Sequence, residues 1–172
     1  MTSDRTYIIV LCGAVLWCAL IMIAPLLAML GGVPGLMGDA MYKFFHSICH
    51  QLDERSFHIL GKPLAVCIRC LSIYAGFLTG TIAYPFVGRL AITIISRRSA
   101  LLLSVLPMIV DVMLDALGFH SSTTFTRLIT GSVFGIVVPF FIIPAAREAM
   151  HDLTTHSQSF PSDELKKGTV HA

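Results

Sequence analysis

Charge is the first thing this sequence is short of. Asp, Glu, Lys and Arg make up 13% of its 172 residues, about half of the roughly 25% usual in soluble domains. So few charges cannot coat the surface of a soluble globule, and that class is excluded. Cysteine numbers five, too few for a disulfide-dense secreted scaffold. Proline and glycine, at 8 and 13 residues, are too few for a collagen-like or low-complexity chain. The formal net charge is only +2, and no basic run with interleaved aromatic residues occurs, which excludes nucleic acid as a partner. What the sequence has is apolar surface: hydrophobic types reach 55% and the mean hydropathy is +0.80. An integral membrane protein remains, with the lipid bilayer as its first partner.

Four apolar stretches approach the roughly 20 residues that span a hydrocarbon core as helix. They cover about residues 7–30, 64–86, 100–119 and 125–146. The first exceeds the apolar core of a signal peptide and is read as a retained helix. The predicted fold class is therefore all-α: a polytopic bundle of four transmembrane helices over residues 1–146, followed by a flexible tail over 147–172. Arg5, Arg89, Arg97, Arg98, Arg147, Lys166 and Lys167 fall on one side of such a bundle. The positive-inside rule makes that side cytoplasmic, with both termini there and the chain in the cell (inner) membrane. Gly76-Phe-Leu-Thr-Gly80 and Gly131-Ser-Val-Phe-Gly135 repeat a small-residue spacing that permits close helix packing.

The first outer loop is patterned. From Asp39, a suitable N-cap, apolar residues fall at Met41, Phe44, Phe45, Ile48, Cys49 and Leu52. That is the spacing of a one-faced helix, expected over 39–52 and lying at the interface. Cys49 falls on its buried face, followed by His50 and Gln51. Pro63 is then expected in the first turn of the second span.

Cys67-Ile-Arg-Cys70 opens that span. Two cysteines at this spacing on a helix start hold a metal ion or form a redox disulfide. With Cys49 and His50 they make the Cys3His set of a tetrahedral zinc site. Asp111 and Asp115 share one face of the third span, about 12 Å and 6 Å below its outer end. Arg127 enters the fourth span near the same surface, with Thr130 one turn deeper. Charges within a span are costly and are read as functional, each with a partner. Asp111, Asp115 and Arg127 are the candidate catalytic residues; the alternative for Asp115 and Arg127 is an ion pair that only locks two helices. Gln51, Arg55 and Arg69 are candidate cofactor-binding residues. Cys12 and Cys18 read as small apolar residues of the first span, and His46, His58 and His120 as interfacial polar ones.

The run Tyr42-Lys-Phe-Phe-His-Ser-Ile-Cys-His-Gln51, then Arg55-Ser-Phe57, Val66-Cys-Ile-Arg-Cys70, Tyr74 and Gly76 resembles an uncharacterised prokaryotic membrane-protein family, a domain of unknown function. The resemblance extends to Asp111, Arg127, Thr130 and Gly131, and departs from the family pattern at Val112, Asp115 and Thr124. It implies a membrane fold and no particular reaction, so whether the protein is an enzyme stays open.

Two functions fit the residues. The first is a metal-binding membrane protein, with zinc or another thiophilic ion on Cys49, His50, Cys67 and Cys70 above an Asp/Arg pocket. A closed four-ligand site is favoured; an open one would leave Asp111 as general base for a small-molecule or lipid substrate. The second is a thiol-disulfide oxidoreductase that passes electrons to a membrane quinone. Its layout looks similar to DsbB and vitamin K epoxide reductase-like enzymes, but the later outer loop lacks their second cysteine pair. A scaffold subunit without chemistry and a homo-oligomer are both compatible with the sequence.

Overall fold

The computed structural model describes residues 2–94, 97–119 and 122–159. Its order is α1 (Thr2–Leu30), α2 (Gly32–His46), a 3-10 turn (Asp53–Arg55), β1 (His58–Ile59), β2 (Lys62–Pro63), α3 (Ile68–Ile94), α4 (Arg97–Ala116), α5 (Thr124–Val137) and α6 (Pro139–Ser159). Among the described residues three helices are long and apolar enough to cross a membrane: Arg5–Leu30, Ile68–Val87 and Thr124–Met150. The last combines α5 and α6, because Val138 between them keeps helical dihedrals of −54° and −42°. Pro139 lacks the N–H that would continue the ladder, so one apolar run is two helices end to end.

The chain reverses after α1 at Gly31 and Gly32, whose φ values of +66° and +56° suit glycine. α2 then folds back along α1 so closely that a Cβ on Gly38 would lie 2.5 Å from the Ala28 backbone nitrogen. Phe45 is fully buried in the resulting core with Ile21, Ala24, Cys49, Ala65 and Val66. Trp17 packs edge-on against Phe45 and Tyr74 at ring separations of 5.4 and 5.7 Å.

The structure corrects the reading of the first loop. The helix expected over 39–52 starts at Gly32 and ends at His46, so Asp39 is interior and not an N-cap. Its one-sided pattern reaches back through Gly38 and Gly35, which are buried, and glycine carries no apolar signal. Pro63 does not open the second span. It pairs with His58 in a two-stranded hairpin, closed by Leu60 and Gly61 at φ +52° and +81°, the two left-handed residues that a tight hairpin turn requires. The mostly helical fold therefore carries one small β element. Beyond Arg147, where the tail was expected to begin, α6 continues to Ser159; residues 160–172 and His120 lie outside the described residues.

α3 is the central helix, and its tightest partner is α5. The two small-residue motifs face each other. A Cβ on Gly76 would lie 2.7 Å from the Ser132 carbonyl oxygen, and one on Gly135 would collide with the Ile73 carbonyl. At the opposite end Arg147 stacks over the Tyr84 ring at 5.3 Å, and Tyr84 also packs on Tyr7 and Phe140.

Gly135→Ala would therefore push two backbones apart and destabilise the protein by about 1–3 kcal/mol. Gly13→Ala, with nothing within 4 Å of the added Cβ, would not. Thermal unfolding of both variants in detergent checks this; equal midpoints would refute the close approach.

Candidate functional site

The site forms where the end of α2 meets the start of α3. After His46 the chain tightens: Ile48 and Cys49 donate their backbone N–H groups to the Phe45 carbonyl at 3.1 and 2.9 Å. Cys49 is thereby tucked beneath Phe45 and is only 4% exposed. Gln51 follows with φ +48°, and its side-chain amide donates to the Tyr42 and Ala65 carbonyls at 2.8 and 2.7 Å. The Tyr42 hydroxyl donates to the Pro63 carbonyl; burial, helped by the charge on Asp39, pushes that phenol up. These bonds clip α2 to the segment entering α3. Gln51, a candidate for cofactor binding, spends its amide donors on the backbone.

The clip brings three cysteines together. The sulfurs of Cys49, Cys67 and Cys70 all lie within 4.8 Å of one another, and the Cys67 N–H donates to Cys49 Sγ at 3.2 Å. Cys67 stands one residue before α3. Hydrogen bonds with the Cys49 and Cys70 thiols hold its own thiol well below the ordinary thiol range. The positive end of the α3 dipole favours a thiolate at the same place.

His50, expected as the fourth ligand, is outside this cluster and exposed. Successive residues in an extended turn point opposite ways, so burying Cys49 turns His50 outward. Cys18 donates to the Tyr74 carbonyl at 3.7 Å and Cys12 is exposed on α1, so neither joins the cluster. His58 pairs with Asp53 at 3.1 Å and Thr130 donates to the Thr126 carbonyl, so both are occupied locally.

A second polar layer adjoins the thiols. Arg69 on the first turn of α3 forms an ion pair with Asp111 of α4, whose side chain is 7% exposed. Ser122 joins them: its hydroxyl donates to Asp111 at 2.9 Å and accepts from Arg69 Nη2 at 3.2 Å. Its backbone N–H donates to Asp115 Oδ1 at 3.0 Å. Asp115 also has Arg55 and Arg127 near it, each at 3.6 Å. The expected Asp115–Arg127 pair is thus present, with Arg55 added, while Asp111 belongs to Arg69. A cavity of about 330 Å³ connects the layers, lined by the three cysteines, Arg55, Arg69 and Arg127, with His50 among its walls.

Ser122 and Ser72 were missed by sequence reasoning. Ser122 has a legible signal, since it immediately precedes Thr123, the residue that caps α5 by accepting from the Thr126 N–H at 3.2 Å. Ser72 donates to the carbonyls of Arg69 and Arg127 at 2.8 and 3.2 Å, joining the two arginine-bearing turns. A lone serine in an apolar helix carries no such signal.

Removing one member of the buried Arg69–Asp111 pair leaves the other charge unmatched, a loss of about 3–5 kcal/mol. Asp111→Ala should therefore unfold in detergent well below the parent, and adding Arg69→Met should recover most of the difference. A double variant no more stable than Asp111→Ala would show that the pair does not act as a unit.

Residues 49–141, more than half of the chain, match the family DUF2085, described as predicted membrane protein. An uncharacterised protein of Methanocaldococcus jannaschii is 36% identical over 150 residues, covering 86% of this chain and 96% of that protein. An uncharacterised protein of Methanothermobacter thermautotrophicus is 36% identical over 92 residues, covering 54% of this chain and 81% of its own. No solved structure matches. The matched region begins at Cys49 and takes in the cysteine cluster and the arginine–aspartate layer, and the chain belongs to the DUF2085 family of predicted membrane proteins.

Proposed function

We propose that this protein is a four-span protein of the cell (inner) membrane in which Cys49, Cys67 and Cys70 hold a thiophilic metal ion, zinc by preference. The metal centre would stand at the extracytoplasmic end of the bundle, above the arginine–aspartate layer. The observation that carries the reading is the approach of three sulfurs to within 4.8 Å of one another. Thiolates bound to one zinc at about 2.3 Å sit about 3.8 Å apart in a tetrahedron, so small side-chain movements would close the set. The Cys67 N–H on Cys49 Sγ is the kind of outer hydrogen bond that orients a metal thiolate.

Under this reading α4 supplies the fourth crossing. Leu102, Leu103 and Leu106 on it are exposed, as lipid-facing side chains would be, and Asp111 and Asp115 turn to the interior pairs. The Lys and Arg distribution puts both termini in the cytoplasm, and α2 with the hairpin caps the outer end. A fourth ligand would come from the cavity that the three cysteines line, where His50 is one wall. Three thiolates therefore do the holding and the open position takes a ligand. Asp111, committed to Arg69 and Ser122, positions Arg69 and does not serve as a free base.

Purification in detergent without added metal, followed by metal analysis and thiol titration, should give stoichiometric zinc. Cys67→Ser should lose it and His50→Ala should keep it. A metal-free protein with a disulfide reducible by a quinol would overturn the reading and place the protein with quinone-coupled thiol oxidoreductases. A reporter fused to the C-terminus should report the cytoplasm; an external signal would put the cysteine cluster on the cytoplasmic face.

A further inference from the structure

The arginines carry more hydrogen-bonding capacity than their partners use. Arg127 is 8% exposed, its Nε is buried with no hydrogen-bond partner, and its nearest carboxylate oxygen is 3.6 Å away. Arg69 directs Nη2 at Asp111 and Ser122, yet its Nε is also buried without a partner. Arg55 approaches Asp115 only to 3.6 Å. Three guanidinium groups thus face two carboxylates. A buried arginine left short of acceptors is costly, and charged residues within a membrane bundle are read by default as serving a ligand or a partner. All three line the same cavity of about 330 Å³.

We propose that this cavity binds the singly charged phosphate of an anionic phospholipid head group. Planar guanidinium forks match phosphate oxygens, and the Nη groups of Arg55 and Arg127, each no closer than 3.6 Å to Asp115, have donor capacity left for them. The N-termini of α3 and α5, from which Arg69 and Arg127 project within the first turn or so, add a field of the same sign. The lipid source follows from the remaining walls. Ile48 and Leu52 line the cavity and are 47% and 50% exposed, so an apolar rim adjoins the cationic pocket. A soluble phosphate would have no use for that rim, whereas the glycerol and first acyl carbons of a lipid would cover it.

The test uses the full chain purified in neutral detergent. Phosphatidylglycerol should raise the unfolding midpoint by roughly 3–5 °C, and phosphatidylcholine, whose head group carries no net charge, should raise it far less. Arg55→Gln, at a side chain that is 45% exposed on the 3-10 turn, should remove at least half of the shift. Arg127→Gln should remove more, if it folds. Equal shifts from the two lipids, or a phosphatidylglycerol shift unchanged in Arg55→Gln, would overturn the proposal. An equal shift from inorganic phosphate alone would overturn the lipid source. Zinc measured on the same samples keeps the two readings apart, because Arg55→Gln should retain its metal.

Discussion

The close approach of α3 and α5 is the constraint on which the site depends. Glycines at 76, 80, 131 and 135 let the two backbones meet, and Ser72 then reaches both the Arg69 and the Arg127 carbonyls. A wider separation would move the two arginines apart and take Arg69 away from Asp111, since α4 packs chiefly on α5. Hydrocarbon gives helices no hydrophobic reason to associate, so van der Waals contact at small residues must do it. The polar layer is therefore placed by residues that have no polarity.

The thiol cluster has a separate origin. It depends on Phe45, which fills the space between α1 and the entry to α3, and on Gln51 and Tyr42, which bond to carbonyls across the same gap. These residues set where Cys49 lies relative to Cys67. The two supports meet only at the first turns of α3, where thiols and guanidinium groups share one cavity.

Much of this was legible in the residues themselves. Apolar run lengths located the three helices that are long and apolar enough to cross a membrane among the described residues, and the Cys-x-x-Cys spacing with Cys49 named all three members of the cluster. The scarcity of charge made Asp111, Asp115 and Arg127 conspicuous. His50, next to Cys49 in sequence, lines the same cavity but stands outside the group of three sulfurs, because adjacency along a turn does not bring two side chains to one point. The start of α2 was hidden by Gly35 and Gly38, whose burial reflects shape and leaves no mark in hydropathy. The hairpin at 58–63 is too short for an alternating pattern, and only Gly61 marks its turn. Which acid meets which arginine depended on helix rotation, which spacing along one helix does not determine.

The order of the partners along the chain bears on how the protein is made. Arg69 is synthesised some forty residues before Asp111 and more than fifty before Ser122. A guanidinium at a helix end can stay at the membrane surface until its carboxylate arrives. Cys49, Cys67 and Cys70, by contrast, all emerge within 22 residues of one another. The three thiols can come together while α4 and α5 are still being translated, and the arginine layer beside them is completed last.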